Sequence, residues 1–147
     1  MSIHDRLELE REGRLIRKNT RASLMSDTKW RKLLAPLDRP DLGLERCIVK
    51  FVDISDETMM YRPKGLHPPR PWVDTDPFGP IPLRSIEWLL FPRLAEVGSG
   101  DRTIPAKSMA QDVDNAARVV AALGRYPMEL SERGLLIRGY LPSARVT

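Results

Sequence analysis

The chain has 147 residues, 41% hydrophobic and 30% charged, with 24 Lys+Arg against 20 Asp+Glu and a formal charge of +4. That length suits a single domain spanning 1–147 with a core of its own, while one Cys excludes an intrachain disulfide framework or multi-Cys zinc site and two His exclude a three-His metal centre. Apolar runs are only a few residues long and Met1–Arg6 lacks an apolar signal core, so a cytoplasmic protein with no membrane span is expected.

Residues 1–40 hold ten Lys/Arg and six Asp/Glu, so the whole positive excess is local to the N-terminal part. Residues 4–24 read as a helix, with residues 1–25 a loosely attached N-terminal unit. Its apolar positions, Ile3, Leu7, Leu15, Ile16 and Leu24, form a thin stripe. Glu10 and Arg14 sit at the i,i+4 spacing that supports a solvated helix. Asp27 reads as the N-cap of a second helix over Thr28–Leu37, in which Trp30, Leu33, Leu34 and Leu37 share a face and Pro36 marks the end. Trp30 is expected to anchor that helix to the core. Residues 46–54 suit a strand that is apolar on both faces and therefore central, with Cys47 an inert buried thiol inside it.

Seven of the thirteen prolines fall within 62–82. Proline lacks an amide donor and fixes φ, so neither a helix nor a central strand can run through. Trp72, Val73, Phe78 and Ile81 argue against disorder, and an ordered surface loop with extended pieces is expected. Residues 84–91 read as a strand stopped by Pro92, and 95–107 as a loop. Ser108-Met-Ala-Gln111 has the form of a capping box opening a helix, with Met109, Val113, Ala116, Val120 and Leu123 its buried stripe and Gly124 its end. Tyr126–Leu130 and Leu135–Tyr140, joined by Ser-Glu-Arg-Gly134, read as a hairpin. The expected order is α-α-β-loop-β-α-β-β. That order implies an α+β fold, a mostly antiparallel sheet of about four strands covered on one face by helices.

The chemistry-bearing signals are thin. The stretch Gly100–Ser108 has Asp101 and Ala106 where a phosphate-binding loop needs glycines. His67, Asp74 and Asp76 could hold a metal or exchange protons, but H-x6-D-x-D matches no strong metal or acid–base spacing. No catalytic residue, cofactor or metal is assigned. Arg62, Lys64, Arg70, Trp72 and Phe78 interleave cations with aromatics, a composition that protein interfaces enrich and that can also stack bases.

Four short pieces, Asp27-Thr-Lys-Trp-Arg-Lys-Leu33, Ile48-Val-Lys-Phe-Val-Asp53, Ile86-Glu-Trp-Leu89 and Gly134-Leu-Leu-Ile-Arg-Gly-Tyr140, together resemble a family of small uncharacterised bacterial proteins, a domain-of-unknown-function group. That group is similar to the small proteins encoded beside secreted bacterial toxins, which neutralise them by binding. The resemblance implies a protein partner, a cognate toxin encoded nearby, and no catalytic residues. The expectation is then a non-enzymatic immunity protein whose 62–82 loop occludes the toxin's active site. Trp72 and Phe78 would serve as anchors, and Arg70, Asp74 and Asp76 would fix register. The alternative is a nucleic-acid-binding protein using Arg11, Arg14, Arg17, Lys18 and Arg21 of the basic N-terminal helix.

Overall fold

The structure, a computed structural model, describes residues 20–63, 72–76, 78–97, 103 and 107–142. Along the described chain run β1 (Thr20–Ser23), α1 (Asp27–Leu37), β2 (Arg46–Phe51), β3 (Thr58–Tyr61), β4 (Trp72–Thr75), β5 (Gly79–Pro82), β6 (Ile86–Pro92), β7 (Leu94–Val97), β8 (Lys107–Ala110), α2 (Val113–Leu123), β9 (Met128–Leu130), β10 (Gly134–Arg138) and β11 (Tyr140–Pro142), with short 3-10 turns at Pro40–Leu42 and Leu83–Ser85.

The frame is a five-stranded antiparallel sheet in the order β3-β2-β6-β10-β9, so the α+β class holds with five strands rather than four. Register explains its sidedness. Cys47 stands opposite Met60, Val49 opposite Leu89, and Ile137 opposite Leu89, which lines all five residues on one face. Onto that face pack Trp30, Leu33, Leu34 and Leu37 of α1 and Val113, Ala116, Ala117 and Val120 of α2, in one buried cluster. Trp30 is 1% exposed and is the anchor its spacing suggests.

The opposite face carries Ile48, Lys50, Trp88, Leu90, Leu136 and Arg138 in cross-strand rows. Lys50 pairs with Glu87 (3.4 Å) and Arg138 with Glu129 (3.4 Å). Glu87 is the extra residue of a bulge between the Lys50 and Phe51 positions of β2. Glu57, just before β3, reaches Arg133 in the turn between β9 and β10 (2.8 Å), and central Leu90 is buried.

Gly134 opens β10 because nothing larger fits: a Cβ there would stand 2.0 Å from the Phe91 carbonyl oxygen.

Several expectations are corrected. Thr20–Ser23, assigned to the first helix, is a strand paired antiparallel with β11. These four residues have no apolar periodicity of their own, and the β11 backbone offers them a ladder. Residues 4–19 of that helix lie outside the described residues. The N-cap of α1 is Ser26, whose Oγ accepts from the Lys29 amide (3.1 Å), while Asp27 is the first helical residue. Pro36 lies in the last turn of α1, which ends at Leu37 as expected.

The third helix does not begin at Ser108. Lys107–Ala110 is β8, paired with β7, so the expected 95–107 loop has a strand at each end. The helix begins at Val113, capped by Asp112, whose carboxylate accepts from the Asn115 amide (3.1 Å). Gln111 turns inward instead of capping. Its Oε1 accepts from the Glu45 and Arg46 amides (2.9 Å each), and its Nε2 donates to the carbonyls of Arg46 (3.1 Å) and Pro92 (2.9 Å). One buried side chain thereby joins the start of β2 to the end of β6, with all its hydrogen-bonding capacity used. Leu123, placed on the buried stripe, is 45% exposed. β3 was not expected at all.

Candidate partner-binding surface

The proline-rich stretch folds, where it is described, into the hairpin β4–β5. Trp72 stands opposite Pro82, Val73 opposite Ile81, Asp74 opposite Pro80 and Thr75 opposite Gly79. Pro80 and Pro82 occupy alternate positions, so their missing N–H groups fall where an antiparallel ladder points outward. A two-stranded ribbon can therefore hold two prolines in one strand, which a central strand could not. At the tip, Gly79 takes φ 72°, the left-handed conformation that turns the chain back, and the Thr75 hydroxyl donates to the Gly79 carbonyl (2.8 Å).

Alternation divides the hairpin into two faces. Val73 and Ile81 point into the body, 0% and 8% exposed, and belong to the cluster shared by α1, α2 and the sheet. On the other face Trp72 is half-buried and Asp74 exposed. Asp76 and Phe78, at the tip, are exposed, Phe78 at 41%. Phe78 is braced, not free: its ring meets Phe51 edge-on, centroids 5.4 Å apart at 90°. The Asp76 carbonyl accepts from the Tyr61 amide (3.1 Å), tying the tip to the edge strand β3.

The five expected contact residues are thus unequally placed. Asp74, Asp76 and Phe78 are exposed, and Trp72 gives up most of its surface to the body. Arg70 lies outside the described residues, as do His67 and Lys64. Among the described residues no three His, Cys, Asp or Glu side chains gather in a metal-holding group. Arg62 is not offered to a partner. Its guanidinium donates to the Leu44 carbonyl and pairs with Asp38, and its amide donates to the Glu45 carbonyl (2.9 Å). It fastens the end of α1 to the β2–β3 edge.

Two accessible residues were missed. Tyr61 and Met59, 41% and 36% exposed, lie on β3 beside the tip. The Arg46 guanidinium stacks on the Tyr61 ring, 3.5 Å from its centroid. Their signal was Thr58-Met-Met-Tyr61, a four-residue alternation easily read as part of the turn after β2. The basic residues Arg11, Arg14, Arg17 and Lys18 lie outside the described residues, and the side chain of Arg21 is likewise undescribed. No described helix is long and apolar enough to cross a membrane.

No protein-family model matches the chain, and neither a curated protein nor a solved structure is detectably similar to it.

Proposed function

We propose that this chain is a non-catalytic binding protein that grips another protein with the β4–β5 hairpin. The observation that carries the reading is the hairpin's division of labour. Val73 and Ile81 are locked into the core, while Asp74, Asp76 and Phe78 stay reachable. A contact element so anchored loses little entropy on binding, because its backbone is already ordered before the partner arrives. Phe78, rigidly braced by Phe51, has the character of an aromatic anchor.

The more specific form of the proposal is an immunity protein that covers the active site of a bacterial toxin. Its support is indirect: four motifs, including Asp27–Leu33 and Gly134–Tyr140, resemble a domain-of-unknown-function group that is in turn similar to proteins encoded beside such toxins. Occlusion needs a preformed, accessible segment, and the support for that reading is the exposure of Asp74, Asp76 and Phe78 on an anchored hairpin.

The test is co-purification with the product of the adjacent gene, followed by Phe78→Ala and Trp72→Ala. Phe78→Ala is expected to weaken the complex by about 2 kcal/mol or more, with Trp72→Ala costing less because most of that side chain already serves the body. Unchanged affinity in both variants removes the hairpin from the interface. A chain that instead bound single-stranded nucleic acid, steeply weakened by salt, would belong to the alternative class.

A further inference from the structure

Among the described residues seven large hydrophobic side chains are exposed, and four of them, Ile54, Met59, Tyr61 and Phe78, fall in just two segments. These are residues 51–61, comprising the turn after β2 and the edge strand β3, and residues 72–82, the hairpin. Folding brings the two together. Phe78 packs on Phe51, Ile54 follows three residues later in a turn closed by its amide on the Phe51 carbonyl (3.4 Å), and the Tyr61 amide donates to Asp76. Isolated exposed hydrophobics are ordinary, but their gathering at one edge is the mark of a contact surface.

Within these two segments the charge is one-sided. Segments 51–61 and 72–82 contain Asp53, Asp56, Glu57, Asp74 and Asp76 and not a single Lys, Arg or His, in a chain whose formal charge is +4. All five are exposed, and Glu57 alone is drawn away, into its pair with Arg133. Of the cations that meet these segments, Arg133 is held by Glu57 and Arg46 is turned onto the Tyr61 ring.

We propose that the edge formed by the 52–57 turn, β3 and the hairpin tip is the docking surface for a cationic protein partner, one that meets Phe78 and its apolar neighbours with an apolar patch rimmed by Lys and Arg. This rests on the proposed function and names the chemistry of its partner. Apolar contact supplies the affinity at the centre, and the carboxylates around it speed encounter and reject acidic surfaces. Polyanions are excluded by the same charges, so a nucleic acid does not occupy this edge.

The probe is a synthetic peptide of about 12 residues alternating Lys and Leu, titrated into the full-length protein and followed by amide chemical shifts, with the matching Glu–Leu peptide as its counterpart. The Lys–Leu peptide should shift amides of 53–61 and 74–80 and leave α2 untouched. Its apparent Kd should rise about fivefold between about 50 and about 300 mM salt. In Asp74→Lys/Asp76→Lys, whose exposed side chains make folding a minor concern, Lys–Leu binding should fall about tenfold and Glu–Leu binding should appear. Equal binding of both peptides to the unaltered protein, or shifts spread outside this edge, overturns the charge assignment.

The failure of each idea is distinguishable. If the adjacent gene's product binds the double-Lys variant as well as the unaltered chain, the partner chemistry is wrong and the binding function stands. If that product does not bind while the Lys–Leu peptide maps to this edge, the surface chemistry stands and the toxin partnership fails.

Discussion

Cys47 shows how a single side chain is governed by its surroundings. It lies in β2 opposite Met60, fully buried, with its thiol donating weakly to the Tyr61 carbonyl (3.8 Å). Burial pushes the thiol from 9.0 up to about 12, against the pull of the Arg62 charge. The folded chain therefore keeps a proton that the unfolded chain releases at lower pH. The stability contributed by Cys47 is complete below 9.0 and is lost as pH rises towards about 12. Urea midpoints of the unaltered protein should consequently decline more steeply across that alkaline range than those of Cys47→Ala. Parallel declines would mean that the thiol does not titrate as a buried group. The burial of Cys47, like that of Trp30, was legible because local spacing sets it. The role of Arg62 was not, because its partners Asp38 and Leu44 lie 24 and 18 residues away in the chain.

At the level of elements, the informative failure is the start of α2. Ser108-x-x-Gln111 has the residue types of a capping box, yet the chain uses Asp112 as the cap and extends Lys107–Ala110 against β7. The pattern could not reveal this, because the groups that claim Gln111 come from Glu45, Arg46 and Pro92, far along the sequence. Tertiary demand for a buried amide outranked a local cap. β7 and β8 escaped notice for a related reason, since each has four residues and finds its partner across an intervening stretch. The two readings of this junction predict different mutants. Gln111→Leu leaves two amides and two carbonyls without their partner and should lower stability by about 3 kcal/mol. Asp112→Ala should cost about 1 kcal/mol as a lost cap, and exposed Ser108→Ala close to nothing. Urea unfolding of the three variants decides it: a large loss at Ser108 with none at Asp112 would restore the helix to the earlier start.

At the scale of the whole molecule, the class and the helix-covered face followed from hydrophobic spacing, whereas the candidate surface did not. The accessible position of Asp74, Asp76 and Phe78 was legible because a proline-rich stretch reads as surface, whereas the burial of Val73 and Ile81 in the same stretch was not. The acidic edge was not, because it exists only when 51–61 and 72–82 are folded together through Phe51–Phe78 and Tyr61–Asp76. The binding proposal further requires that the hairpin be continuous with the body, since a loosely hung ribbon would have to be ordered by its partner. Continuity is a property of the core. Val73 and Ile81 sit in the same cluster as Leu89 of central β6 and Val120 of α2, so the hairpin cannot open without uncovering apolar surface of the sheet and helices. Val73→Ala should then cost about 2 kcal/mol of global stability, not merely loosen the tip. The measurement is native-state hydrogen exchange. In Val73→Ala, the slowest amides of β6 and β10 should exchange faster by the same free energy as the hairpin amides, because all are released in one opening. If only residues 72–82 sped up while β6 and β10 kept their protection, the hairpin would be a separate, locally opening unit. Its exposed Phe78 and carboxylates would then be presented by a movable arm, and the entropy argument for a preformed grip would fall with it.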